Sequence, residues 1–171
     1  MRGSAGCARR AGVASRGTSG IRARACRAIG KWSTFIIWAK HTFTLGRADY
    51  QRQYEPILYG WPEGAQRHWC GDRDQSDVWQ IKKPQKNDLH PTMKPVELVE
   101  RALRNSSRPG DMVLDPFGGS GTTLIAAEKS GRVARVMELD PKYADVIVRR
   151  WEDFTGKEAI REVAHQDVCA S

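Results

Sequence analysis

Apolar residues fall along this chain in distinct rhythms, and each rhythm predicts an element. The runs Thr34-Phe35-Ile36-Ile37-Trp38-Ala39-Lys40 and Glu55-Pro56-Ile57-Leu58-Tyr59-Gly60-Trp61 lack a helical period and read as buried strands. They can pair antiparallel across the polar loop from Thr42 to Tyr54, with Ile36, Ile37, Ile57 and Leu58 as sheet core. Val96, Leu98, Val99, Ala102 and Leu103 follow helical spacing. Pro95 suits the first helical position, Glu97 and Glu100 the early turns, and Arg101 and Arg104 the end. Pro109-Gly110 then turns the chain into a short strand, Met112 to Leu114, followed by a helix that begins at Thr122 and can stop at Gly131. A further strand runs from Val133 to Leu139. Asp140 can cap, and Pro141 begin, a last helix whose Tyr143, Val146, Ile147, Trp151 and Phe154 form a core-packing stripe before Gly156.

Between the third strand and the second helix lies Asp115-Pro116-Phe117-Gly118-Gly119-Ser120-Gly121-Thr122. Glycines without Cβ let a ligand approach the main chain, and the first amides of a helix are free donors. The strand-helix-strand unit therefore predicts a ligand site at the carboxyl ends of its strands, with Glu138 placed to accept hydrogen bonds from a ribose diol. The dinucleotide fingerprint departs where Leu124 replaces a third glycine, and no Gly-Lys-Ser/Thr closes a phosphate loop. A neutral backbone pocket with one carboxylate suits a nucleoside without phosphate, such as S-adenosylmethionine. The plain alternative, a tight connection with no ligand, accounts for one such turn. It does not account for the polar cluster His90-Pro91-Thr92-Met93-Lys94-Pro95 that enters the preceding helix.

Taken in series, His90 to Pro95, Asp115 to Thr122 and Glu138-Leu139-Asp140-Pro141-Lys142-Tyr143 resemble the motifs of the amino-group DNA methyltransferases, in the permuted subgroup whose cofactor motifs follow the catalytic one. The resemblance covers roughly Phe35 to Lys157. It implies an α/β fold, a partial Rossmann-like S-adenosylmethionine-dependent methyltransferase sheet missing the strand that carries the catalytic motif. It implies that Asp115, Phe117, Gly118, Gly119, Ser120, Gly121 and Thr122 hold the methionine part of S-adenosyl-L-methionine, and that Glu138 takes the ribose. It also implies that the segment from His90 closes the pocket, with Thr92 and Lys94 facing the cofactor carboxylate. Trp38 and Lys40 lie next to the target-base pocket by the same likeness. The implied reaction is attack of adenine N6 or cytosine N4 on the sulfonium methyl, with the base turned out of double-stranded DNA.

That chemistry needs an Asp/Asn/Ser-Pro-Pro-aromatic motif to accept hydrogen bonds from the amine, and this sequence has no Pro-Pro pair. No catalytic residue is assigned. A cytosine-C5 mechanism fails as well, because Cys7, Cys26, Cys70 and Cys169 do not follow proline. The expectation is a protein inactive alone, marginally stable, and active only if a second chain supplies the catalytic half. Two alternatives stand beside it: a noncatalytic cofactor-binding or DNA-binding remnant, and a nucleotide-binding module of another enzyme class.

Charge refines the picture in one place. The net charge of +8 comes from residues 1–31, which hold eight basic residues and no acidic one, so the remainder is balanced. Basicity thus says little about DNA binding by the folded part. This Arg-, Ala-, Gly- and Ser-rich segment is expected to be disordered and foreign to the family. A phosphate-gripping tail and a transit peptide are its other readings; replacement of a lost upstream half, in a truncated gene, is the preferred one. Residues 32–157 are assigned to the methylase domain, 62–89 within it to target recognition, and 158–171 to a frayed tail. Arg67, His68, Trp69, Arg73, Trp79, Lys82, Lys83 and Lys86 suit DNA, although four aspartates dilute them. Cysteine and histidine spacing predicts no metal site, and scattered thiols suit a cytoplasm; the family resemblance implies a bacterial or phage-derived protein. No apolar run is long enough for a membrane span.

Overall fold

The computed structural model describes residues 31–83 and 93–162. Strand β1 (Lys31–Thr44) pairs antiparallel with β2 (Arg52–Trp61), with Ile36 opposite Ile57 and Trp38 opposite Glu55, as the apolar runs predict. A third strand, β3 (Val78–Gln80), lies parallel on the other side of β1, giving the order β2-β1-β3. Three residues are too few to show a period, so this strand has no sequence signal of its own. Trp79 corrects the sequence reading: grouped by composition with DNA-facing aromatics, it is buried beside Trp38, Ile57, Ile81 and Leu98. Trp38 is the anchor of that core. Its indole N–H donates to the Ile81 carbonyl at 2.7 Å, which satisfies a buried donor and fixes the chain leaving β3.

Helix α1 (Val96–Ser106) starts one residue later than expected, with Pro95 at its N-cap. It has two apolar faces. Leu98 and Ala102, four apart, pack into the core around Trp38. Val96, Val99 and Leu103 pack into a second core with Ala126, Ala127, Val113 and Ala134. This second core belongs to the predicted strand-helix-strand unit: β4 (Met112–Asp115), α2 (Thr122–Ser130) and β5 (Val133–Val136), with β4 and β5 parallel and in register from Met112 opposite Val133 to Asp115 opposite Val136. Gly131 ends α2 at φ 71°, in the left-handed region that disfavours a Cβ.

β5 stops before Leu139, short of its expected end. The Glu138 carboxylate accepts the amides of Leu139 and Asp140 at 2.9 and 3.1 Å and curls the chain there. Helix α3 (Pro141–Thr155) then begins as read, with the Asp140 side chain accepting from the Lys142 amide at 3.0 Å. Its aromatic stripe is less buried than expected. Ile147 is core, Tyr143, Val146 and Trp151 are half-buried, and Phe154 is exposed, on a part of α3 that no described element covers.

Among the described residues the two sheets do not join. Along β4 and β5, Val113 and Ala134 face the helices while Met112, Leu114 and Val133 stay exposed. Parallel sheets are ordinarily covered on both faces. The fold is thus α/β with a partial parallel sheet, as the motifs imply.

Candidate cofactor site

The glycine turn is held from both strands. At the end of β4, Asp115 Oδ1 accepts the Phe117 amide at 3.0 Å and Oδ2 accepts the Thr123 hydroxyl at 2.6 Å, so one carboxylate sets both the turn and the first turn of α2. The Gly118 amide donates to the Met137 carbonyl at 2.8 Å. Gly118 must lack a side chain here, because a Cβ would stand 2.4 Å from Val136 Cγ1 and 2.9 Å from Ile147 Cδ1. Gly121, the N-cap of α2, has φ 77° and lies against Ile147. The Gly119 amide donates to Glu138 Oε2 at 2.7 Å. Residues that stand 19 apart in sequence thereby meet at the strand ends.

This arrangement bears on which ligand fits. A phosphate-binding loop must leave its amides to an anion, whereas here a protein carboxylate takes the Gly119 amide. Asp115 and Asp140 add negative charge close by. A phosphate is repelled; a cationic nucleoside is not. Apolar surface at the same strand ends, Phe117 at 82% and Leu139 at 97% exposure, suits the faces of a base. The residues present therefore fit S-adenosylmethionine.

Sequence reasoning missed the residue that braces the turn from behind. Arg150 of α3 donates through Nη1 to the Ser120 carbonyl at 2.9 Å, the Ser120 hydroxyl at 3.3 Å and the Thr122 hydroxyl at 3.2 Å. Burial pushes its guanidinium below the ordinary value. In the sequence Arg150 is one more cation on an amphipathic helix, and only the fold shows which way it points. Thr122 in turn donates to the Lys94 carbonyl at 3.2 Å. Lys94, just ahead of α1, is thus fixed to the start of α2.

The Lys94 side chain goes elsewhere. Its ammonium meets Glu55 Oε2 at 2.6 Å, while Lys40 meets Glu55 Oε1 at 2.6 Å. Burial alone would raise the Glu55 carboxyl, but hydrogen bonds and charge from Lys40 and Lys94 outweigh it and hold the pKa below the usual carboxylate value. Both ammoniums lie over Trp38, at 5.1 and 5.6 Å from its ring. Trp38 and Lys40, read as neighbours of a target base, are therefore a buried floor and a paired cation. His90 and Thr92 lie outside the described residues.

The segment between β2 and β3 is fastened to α1. The Cys70 amide donates to the Asn105 carbonyl at 2.8 Å, Gln75 and Asn105 exchange side-chain hydrogen bonds at 2.9 and 2.8 Å, and the Arg101 guanidinium stacks on Trp79 at 4.7 Å. Exposed Arg67 stacks on Trp69 at 5.2 Å.

Comparison with known proteins agrees with this geometry. Residues 17–149 match the N6/N4 methyltransferase family model described as DNA methylase. The type II methyltransferase M2.MboI of Moraxella bovis is 29% identical over 134 residues, covering 76% of this chain and 45% of the relative. The solved M1.HpyAVI complex with S-adenosylmethionine is 28% identical, with a TM-score of 0.62 over 70% of this chain and 61% of that one. TTHA0409 of Thermus thermophilus, complexed with S-adenosyl-L-methionine, is 33% identical, with a TM-score of 0.60 over 82% and 62% of the two chains. The chain spans less than half the length of the curated relatives it matches.

Proposed function

Since the chain belongs to the DNA methylase family, we propose that it is the cofactor-binding part of an S-adenosylmethionine-dependent methyltransferase acting on an exocyclic amine of adenine or cytosine in double-stranded DNA. The observation that carries this reading is the Gly119 amide bound to Glu138, a glycine turn already occupied by a carboxylate and so suited to an uncharged ribose beneath a sulfonium. When bound, the cofactor supplies an electrophilic methyl group. The chain's own contribution is to hold it. Glu138 accepts from the ribose hydroxyls, Phe117 and Leu139 flank the base, and Lys94 meets the carboxylate of the methionine part. Arg150 keeps Ser120 and Thr122 in place from the far side.

These 171 residues contain no Asp/Asn/Ser-Pro-Pro-aromatic motif of the kind that polarises the target amine. Methyl transfer therefore requires that motif from outside them. Met112, Leu114 and Val133, on a face of β4 and β5 left exposed among the described residues, support a further covering layer. A noncatalytic cofactor- or DNA-binding protein is the second reading, favoured by the same absent motif. Among the described residues Arg67, His68, Arg73 and Lys82 are exposed between β2 and α1 and are the DNA-facing candidates.

Calorimetry with S-adenosylmethionine and with NAD tests the cofactor. Binding of the first and not the second is expected, and the opposite result overturns the assignment. A methyl-transfer assay on mixed DNA, with the chain alone and with a family fragment carrying the catalytic motif, tests the rest. Transfer by the chain alone refutes its incompleteness; no transfer in either case favours the second reading.

A further inference from the structure

Resting on the reading that Lys94 meets the cofactor carboxylate, we propose that Glu55 is a built-in competitor for Lys94, standing in for that carboxylate until the ligand arrives, and that Lys40 sets the strength of its grip. Glu55 divides its carboxylate evenly, with Oε1 on Lys40 and Oε2 on Lys94, each at 2.6 Å. The two lysines differ in freedom. The Lys40 side chain is 8% exposed and the Lys94 side chain 30%, so Lys94 is the partner able to swing away.

The Lys94 backbone stays put meanwhile, because its carbonyl is held by the Thr122 hydroxyl at the start of α2. Exchange at Lys94 is thus a side-chain rotation and needs no loop movement. It also leaves no buried charge stranded. When Lys94 turns to an arriving carboxylate, Glu55 keeps Lys40, and Lys40 keeps its place over the Trp38 ring. With two cations and one anion, the cluster carries a net positive charge that a second carboxylate completes.

Two substitutions push this balance in opposite directions. Glu55→Gln removes the competitor at almost constant volume, and Lys94 is released to the ligand. Lys40→Met leaves Glu55 with Lys94 as its ion-pair partner among the described residues, which strengthens the internal pair. Titration of the full chain with S-adenosylmethionine and with 5′-deoxy-5′-methylthioadenosine, which has no carboxylate, separates the possibilities. Expected are a roughly two- to fivefold tighter Kd for S-adenosylmethionine in Glu55→Gln and a weaker one in Lys40→Met, the scale of a partly exposed ion pair. The carboxylate-free nucleoside should bind all forms alike, which also reports that they are folded. Glu55→Asp, too short to span both ammoniums, should tighten S-adenosylmethionine binding as well.

A purely structural role for the cluster weakens binding in both Glu55→Gln and Lys40→Met. That outcome, or equal shifts for the two ligands, overturns the proposal while leaving the cofactor reading intact. Failure of the unaltered chain to bind either nucleoside overturns the cofactor reading itself, and the proposal with it.

Discussion

Gly118→Ala is the sharpest perturbation of the glycine turn, because the obstacle it meets can be named atom by atom. Gly118 does not have the positive φ of Gly119 or Gly121, so alanine at this position suffers steric crowding without backbone strain. The added methyl would sit 2.4 Å from Val136 Cγ1 and 2.9 Å from Ile147 Cδ1. The first contact is short by about 1 Å in an interior that is packed to crystal-like density. Overpacking of this kind costs about 1 to 3 kcal/mol. Urea unfolding should register it as a midpoint lowered by roughly 0.5 to 2 M. Val136→Ala removes the nearer obstacle at a cost of its own of about 1 kcal/mol. In the double variant the methyl added at position 118 takes space vacated by Val136 Cγ1, and the combined loss should fall short of the sum of the single losses by about 1 kcal/mol or more. Ile147 keeps the relief incomplete. Losses that add to within about 0.5 kcal/mol would refute the claim that Gly118 is required by its contact with β5.

Three further outcomes are expected. Arg150→Met withdraws a donor from Ser120 and Thr122 and should cost about 1 to 3 kcal/mol in thermal or urea unfolding, with weaker binding of S-adenosylmethionine. Leu98→Ala opens a cavity in the core around Trp38 and should cost about 2 to 5 kcal/mol by the same assay. Because the folded state lowers the Glu55 pKa below 4.5, the stability that Glu55 contributes is complete above its unfolded value and is lost as pH falls through the folded one. Urea midpoints taken from about pH 7 to about pH 3 should therefore decline less steeply in Glu55→Gln than in the unaltered chain.

Local signals carried much of this fold. The caps at Asp140, Gly131 and Gly156 act within a few residues, and each ends or begins its helix where the side-chain chemistry predicts. The apolar runs of β1 and β2 are long enough to be read, and their pairing needs only the loop between them. What escaped the sequence depends on distant partners. β3 exists because Trp79 finds Trp38 across the sheet, and three residues cannot announce that. Trp38 drew attention through the family resemblance, as a neighbour of the target base, but its burial follows from β3 and α1 closing over it. The site divides in the same way: Gly118 to Thr122 and Glu138 are legible as a turn and a strand end, whereas Arg150 and Glu55 act across 28 to 39 residues of chain through contacts that no spacing encodes.

The double allegiance of α1 constrains how this molecule can change over evolutionary time. One residue inserted in its middle turns everything beyond by about 100°. Leu103 would then leave the core it shares with Ala126 and Ala127, while Leu98, on the near side of the insertion, kept its own. The helix is thus expected to hold a fixed length across descendants of this gene, with additions and deletions gathering instead in the polar connection from Leu45 to Gln51.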